Sequence, residues 1–238
     1  MDKTSRQRRK SADARRGEDA ALPAASTPSA RAENTARRNG RAAKSAARRD
    51  AIAAAALEEF CARGFAAARL DDVAKRAGVA KGTIYLHFRD KEALFENLVA
   101  TNIVPFVRAL ETPPPDDVPV RIVLDKFVDM FVQHIYATPR RQVLRLVMTE
   151  GPRFPKLAEF YYHHVVERAL AAMRALLTRA RARGEIASDA LVQFPQLVVA
   201  PALVAIIWSG LFDRFAPLDV TALMRAHLDL LFGEGGGS

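Results

Sequence analysis

Four polar side chains that donate hydrogen bonds lie close together in the segment 81–87. They are Lys81, Thr83, Tyr85 and His87. Ile84 and Phe88 have the four-residue spacing of an inward-facing pair on a helix, so we expect the four polar residues on its outer side. Ammonium, hydroxyl, phenol and imidazole groups on one exposed helix suit the phosphates and base edges of double-stranded DNA.

A helix-turn-helix is the element that would present these side chains to a DNA major groove. Residues 70–77 have helical spacing, and Asp71 and Asp72 near their start favour the positive end of a helix. Gly78 supplies the backbone freedom that the chain needs to reverse direction. A second short helix is expected over residues 81–88.

Three further residues next to this motif are candidate DNA contacts. Gly82 would let the backbone approach DNA closely. Lys91 would contact the DNA backbone together with the N-terminal amides of the next helix, which Asp90 is expected to cap. Arg69 precedes the motif and is expected to contact a phosphate, with a free surface arginine as the alternative.

The net charge of +9 over 238 residues is concentrated at one end of the chain. Residues 1–50 hold 14 basic and 6 acidic residues, a net charge of +8, whereas the rest is nearly neutral. Residues 1–44 have few large apolar side chains, so we expect a disordered basic arm. That arm either contacts DNA phosphates or is a solvated tail. Residues 233–238 are expected to form a flexible tail.

Cysteine content and hydropathy exclude several classes of protein. Cys61 is the single cysteine, which excludes an intramolecular disulfide, and we expect it to be a small buried residue. No apolar run reaches the roughly 20 residues of a membrane span, and no secretory signal follows Met1, so a cytoplasmic protein is expected. No phosphate loop, catalytic triad order or metal cluster is visible, which predicts neither enzymatic activity nor a cofactor.

Only helical periods follow the motif, and no segment has the pattern of a strand. Together with an earlier helix from near Ser45 to Gly64, they predict an all-α fold of about nine helices. We expect a helix-turn-helix DNA-binding domain over residues 45–92 and a larger helical ligand-binding and dimerisation domain over residues 93–232. Within the second domain, single helices are expected to end near residue 110 and to span residues 157–183.

Aromatic, methionine and histidine side chains are concentrated in the middle of this second domain. They suit an apolar or aromatic small molecule, although each also fits an ordinary core position. The candidates are Met130, Phe131, His134, Met148, Phe160, Tyr161, Tyr162 and His164. Metal binding by Glu150 with the His163–His164 pair is disfavoured, because neighbouring histidines point in different directions on a helix.

The last two predicted helices are too apolar to remain exposed. Residues 192–215 are apolar on nearly every face, and residues 218–232 are amphipathic. Burial of both in a four-helix interface, as a homodimer through residues 192–232, is the simplest solution. Such a dimer presents two recognition helices about one turn of DNA apart, or a multiple of it, and so predicts a near-palindromic operator.

The order of these signals resembles the tetracycline-repressor (TetR/AcrR) family of transcriptional regulators over about residues 50–98. The shared pattern comprises Gly64-Phe65, Ala77-Gly78-Val79, Tyr85-x-His87-Phe88 and Lys91-Glu92-x-Leu94. The resemblance implies phosphate contacts by Tyr85 and His87, and a dimeric repressor that a small hydrophobic or aromatic effector releases from DNA. Activation is a variant of this interpretation. The alternative is a helix-turn-helix protein whose bundle only dimerises or binds a partner protein.

Two positions depart from the family pattern. Members usually have Ser or Thr at the start of the second helix, where this chain has Ala68-Arg69, and commonly Ser at the position of Ala80. Both changes remove a hydroxyl cap from a helix. We therefore expect no side-chain phosphate contact at Ala80.

Overall fold

The computed structural model describes residues 28–233, with side chains from residue 37 onward. Within that range the chain forms twelve α-helices and two π-helical turns, and no strand. It divides into two compact parts, up to Ser45 and from Ala46 onward. Residues 1–27 and 234–238, which hold most of the predicted arm and tail, lie outside the described residues.

The first helix, α1, is longer than predicted and spans Pro28–Ala67. Composition predicts disorder up to residue 44, and this prediction is wrong for residues 28–44, which are helical. Alanine and arginine have high helix propensity, so a helix rich in both forms without a buried face. Every side chain from Arg37 to Ala51 is exposed. The absence of a core therefore does not exclude a helix here.

Helices α2 and α3 form the predicted helix-turn-helix. They span Leu70–Arg76 and Lys81–His87. Gly78, in the turn between them, has a φ of +65°, a left-handed conformation that favours glycine. Val73 and Ile84 anchor the two helices because both side chains are fully buried.

An aromatic cluster joins the end of α1 to the helices behind the motif. The chain turns at Gly64, which has a φ of +76° and interrupts the helical conformation of α1. Phe65, directly after this turn, lies 5.1 Å from Phe60, 6.3 Å from Phe95 and 4.9 Å from Phe154, measured between ring centroids. The helix-turn-helix therefore shares one continuous core with the bundle.

The next helix is bent rather than continuous. Asp90 caps α4, Lys91–Asn102, as predicted, and accepts a 2.7 Å hydrogen bond from the Ala93 N–H. A bend of 42° separates α4 from α5, Val104–Glu111. Pro105 lacks the N–H that would continue the helix, which accounts for the break. No single helix among residues 28–233 has the length and apolar composition of a membrane span; α4 and α5 reach them only when counted together across this bend.

Seven helices form the rest of the bundle. They are α6 Val120–Phe131, α7 Arg140–Glu150, α8 Pro155–Tyr161, α9 Glu167–Ala182, α10 Ala190–Gln193, α11 Gln196–Leu211 and α12 Val220–Phe232. The π-helical turns Val132–Tyr136 and Tyr162–Val166 follow α6 and α8, so the long helix predicted over residues 157–183 is divided. A π turn adds one residue and rotates the following faces by about 100°. These breaks and the short α10 explain why more helices form than predicted.

A proline inside α11 is compensated by a side chain from α12. Pro201 has no N–H to donate to the carbonyl of Leu197, four residues earlier. The Nε2 atom of His227 lies 2.6 Å from that oxygen and, with its proton on Nε2, replaces the missing backbone donor. This contact joins α11 to α12 where an orphan carbonyl would otherwise remain.

Candidate nucleic-acid interface

Helix α3 is held by two buried side chains and presents its other residues outward. Ile84 is fully buried and Phe88 is 3% exposed. Of the predicted DNA contacts on this helix, the exposed ones are Lys81, Gly82 and Tyr85, and the half-buried ones are Thr83 and His87. The structure therefore brings these five residues to the outer side of one short helix, as the spacing of the buried pair predicts.

The ammonium of Lys81 is engaged within the motif itself. Its Nζ atom lies 2.7 Å from Oδ1 of Asp71, in the first turn of α2, and both side chains are about half exposed. The hydrogen bond to Asp71 raises the pKa of Lys81, and the aspartate charge adds to this effect. Lys81 therefore stays charged, but the carboxylate beside it cancels much of its field at the outer surface of α3.

Lys91 has a structural role that the sequence did not indicate. Its Nζ donates hydrogen bonds of 2.8 and 2.9 Å to the carbonyls of Phe65 and Ala66, and it lies 4.8 Å from the centre of the Phe65 ring. Both carbonyls lie in the last turn of α1, after the break at Gly64, and the ammonium binds them directly. Two of the three ammonium protons are thus used inside the protein and one remains, so the DNA-backbone contact of Lys91 stays a prediction.

The two positions without a hydroxyl show no side-chain cap. At Arg69 and Ala80 no side chain accepts a hydrogen bond from the following helix. Their carbonyls are nevertheless paired, since the N–H groups of Asp72 and Thr83 donate to them at 3.1 and 2.8 Å. Arg69 is exposed and forms no ion pair within the described residues, so its guanidinium is free to reach a phosphate.

A buried carboxylate fixes α2 against α1. Glu59 is 1% exposed, and its two oxygens lie 2.9 Å from Nε of Arg63 and 3.0 Å from Nη2 of Arg76. Arg63 also reaches Asp72 on α2 at 3.1 Å. This network sets the position of α2 relative to α1. It was not predictable, because its partners are brought together only by folding.

Sequence reasoning also missed a largely exposed leucine of α3. Leu86 is 83% exposed, although leucine on a helix is usually assigned to the core. The signal was present in the spacing, because position 86 lies opposite the side on which Ile84 and Phe88 are buried.

The eight residues predicted to bind a ligand lie in different surroundings: Phe160 lines two clefts beside α4, and Met130 lines a separate cavity. Phe131 is 4% exposed within the core. His134 is exposed and stacks on Phe106, with ring centroids 6.3 Å apart. His164 is exposed and stacks on Phe160 at 4.0 Å. The histidines lie in the two π-helical turns, whose extra residue changes the face expected from a regular helix.

The other ligand candidates are equally dispersed. Tyr161 packs against the core, and burial raises the pKa of its phenol, whereas Tyr162 is exposed. Met148 is partly buried against the core. Met130 faces a cavity of about 270 Å³ between α5, α6 and α9. Its apolar lining includes Leu110, Val123, Phe127, Met130 and Leu176.

A cavity of about 340 Å³ lies between α1 and α7. Cys61 is exposed there rather than buried as predicted, because it lies one position past the buried Phe60 on α1. Desolvation nevertheless raises the pKa of its thiol, with the charge of Arg145 opposing the effect. One oxygen of Glu150 is buried without a hydrogen-bond partner. Within the described residues, no group of three or more His, Cys, Asp or Glu is placed to hold a metal ion.

A continuous apolar face is exposed on α11. Leu203, Ile207 and Leu211, spaced four residues apart, are 49%, 50% and 57% exposed. Val204 adds a further 48% exposed side chain beside them. Large apolar side chains concentrated on one face indicate a surface that another molecule covers.

Two family models match the chain over the parts just described. Residues 52–98 match the model of bacterial regulatory proteins of the tetR family. Residues 114–230 match the tetracyclin repressor-like C-terminal domain. The first match includes the whole helix-turn-helix, and the second includes α6 to α11 and most of α12.

Individual proteins that are similar to this chain are also transcriptional regulators. SrpR, a transcriptional regulator of Pseudomonas putida, is 25% identical over 173 residues, which are 73% of this chain and 79% of SrpR. FasR, a transcriptional activator of Mycolicibacterium smegmatis, is 37% identical over 91 residues, which are 37% of this chain and only 41% of FasR. Among solved structures, the SmeT–triclosan complex has a TM-score of 0.68 at 22% identity, covering 81% of this chain and 95% of SmeT. That last likeness concerns the fold.

The matches cover both the DNA-binding motif and the bundle behind it. The predicted all-α class, with a helix-turn-helix followed by a larger helical domain, is confirmed. The prediction that the chain is a transcriptional regulator rather than an enzyme is confirmed as well. The chain belongs to the TetR family of bacterial transcriptional regulators.

Proposed function

We propose that this regulator binds a near-palindromic operator as a homodimer and that a small hydrophobic or aromatic effector releases it, so that it acts as a repressor. The observation that carries the proposal is the outward face of α3, which Ile84 and Phe88 fix to the core. In this proposal the DNA contacts on α3 and before α2 are made by Arg69, Lys81, Gly82, Thr83, Tyr85 and His87. Lys91, which holds α1 against α4, adds a DNA-backbone contact through its remaining ammonium proton in this proposal.

The exposed face of α11 supports the homodimer. A two-fold axis beside this helix would bury the apolar side chains of both copies against each other. Replacing Ile207 by aspartate would place a charge in that interface. We expect the variant to elute as a monomer in size-exclusion chromatography with light scattering, while Ile122→Asp, at an exposed position of α6, stays dimeric. A dimeric Ile207→Asp protein would refute this interface.

The bent pair α4–α5 supports a route from an effector to the DNA. We place the limit between the DNA-binding part, residues 45–92, and the effector-binding part, residues 93–232, near the start of α4. Leu110 of α5 lines the cavity that contains Met130. An effector in this cavity would displace α5. Because α5 follows α4 directly, this movement would be transmitted through α4 to α3. Because binding equilibria are linked, the same effector must bind the operator complex more weakly than the free protein.

Selection of bound sequences from a random DNA pool, followed by anisotropy titration, tests the proposal. We expect an operator with two related half-sites. Triclosan, which is bound in the SmeT complex, is a suitable first compound. A compound that stabilises the protein in a thermal shift must also weaken its operator binding. A compound that binds without changing operator affinity would refute effector release.

One observation favours a second candidate function, in which the bundle only dimerises or binds a partner protein. The predicted ligand residues are dispersed, and the apolar cavity near Met130 is just below the roughly 300 Å³ at which ligand pockets begin. In this case no member of a library of hydrophobic compounds would raise the melting temperature. The two candidates therefore differ in the outcome of a thermal-shift screen.

A further inference from the structure

The recognition helix has an apolar centre on its exposed side. A helix advances by about 100° per residue, so Leu86 and Gly82 point away from the buried Ile84, on the opposite side of α3. Leu86 is 83% exposed. Such an exposed leucine on an element that faces DNA is a group that binding would bury.

Polar residues lie on both flanks of this centre. By the same helical geometry, Tyr85 lies on one side of Leu86, and Thr83 and His87 lie on the other, whereas Lys81 lies nearer the buried edge of the helix. Groups on opposite flanks of a helix in the major groove are suited to the phosphates of the two strands. The residue between them then faces the floor of the groove, where the base edges are.

Gly82 strengthens this placement. A Cβ added at this position would meet no atom within 4 Å, and the residue is not in the left-handed region, so the protein's own packing does not require glycine here. Because Gly82 has no side chain, the backbone of α3 is uncovered one helical turn before Leu86. This lets the middle of α3 approach a surface closely.

The side chain of Leu86 has no hydrogen-bonding group. The C5 methyl of thymine is the one alkyl group that bases present in the major groove; the other groups are hydrogen-bond donors and acceptors, or the small C5–H edge of cytosine. We infer that Leu86 is a specificity-determining residue that packs against a thymine methyl in each half-site. This inference rests on the proposed DNA-binding function and deepens it.

Deoxyuridine substitution tests the inference, because it removes the thymine methyl and leaves the base pair unchanged. The full-length protein is first given a random DNA pool, and each thymine of the selected operator is then replaced in turn. One position in each half-site should weaken binding by about fourfold, as expected for one buried methyl group. In Leu86→Ala the same replacement should have no effect, and the affinity of this variant for the thymine operator should fall by about sixteenfold, because both half-sites lose the contact.

Controls separate this inference from the proposed function. Leu86→Ala should keep its circular dichroism spectrum and melting temperature, because the side chain is mostly in water. Ile122→Ala, on α6, should retain the full response to deoxyuridine. The inference is overturned if no thymine replacement weakens binding, if the weakening persists in Leu86→Ala, or if the half-site has no thymine. Failure to select any DNA would instead overturn the proposed function.

Discussion

Replacing Asp71 by asparagine isolates the contribution of Lys81 to DNA binding. In the structure the two charges lie 2.7 Å apart and are about half exposed, so together they present almost no net charge to a phosphate. Asparagine keeps the size and most of the hydrogen bonding of the aspartate but removes its charge. Because exposed ion pairs contribute little to stability, the fold should be unaffected.

The magnitude follows from counterion release. Each phosphate neutralised by the protein adds about 0.9 to the salt dependence of log K. Two subunits each freeing one lysine would therefore steepen the slope by about 1.8. Between about 200 and about 50 mM salt, the affinity advantage of the variant over the parent should grow by about twelvefold. The direction is an increase in affinity.

Anisotropy titrations of one labelled operator at several salt concentrations provide the assay. Asp117→Asn is the matched control, since Asp117 is exposed in the loop before α6 and its replacement changes the net charge equally. A slope equal to that of the parent would show that Lys81 does not face a phosphate. An equal increase in the control would show that total charge, rather than the pair, determines affinity.

Three other changes give distinct outcomes. Lys91→Met should lower the free energy of unfolding by about 1–2 kcal/mol, because two charge-assisted hydrogen bonds to partly exposed carbonyls are lost; urea denaturation at fixed protein concentration measures this, and undiminished stability with weaker DNA binding would contradict it. His227→Ala should cost about 1 kcal/mol, and less in a Pro201→Ala background, where the helix regains its own donor; an equal cost in both backgrounds would exclude the compensation. Deleting residues 1–44 should weaken operator binding and reduce the salt slope, while DNA selection returns the same sequence; a different selected sequence would show that the arm reads bases.

The recognition motif was predictable because its determinants are local. Each determinant fixes the structure of its close neighbours in the chain. The determinants are the four-residue spacing of Ile84 and Phe88, the turn at Gly78 and the cap at Asp90. The same spacing also placed Leu86 outside, but the general preference of leucine for the core obscured it. Pattern outweighs residue type when the two disagree on a short helix.

The surroundings of the candidate ligand residues and the internal hydrogen bonds of Lys91 were not predictable, for the opposite reason. Two π-helical turns change which faces point inward, and nothing in the periodicity around His134 or His164 signals the extra residue. Lys91 is 26 residues from the Phe65 carbonyl that it binds. Contacts of this kind depend on how helices cross, which local patterns do not specify.

Lys91 joins the start of α4 to the last turn of α1. These bonds and the 3.0 Å hydrogen bond from Arg49 to Asn97, near the other end of the same contact, fix α1 to α4. A tilt of α4 would then move α1 and the helix-turn-helix packed on it, without distorting the motif. We expect an effector to change the distance between the two helix-turn-helix motifs of a dimer, while each motif keeps its own shape. The affinity for an isolated half-site would stay constant while the affinity for the full operator falls. The regulatory signal would then be the spacing of the two motifs, and not a change in the conformation of either DNA-binding surface.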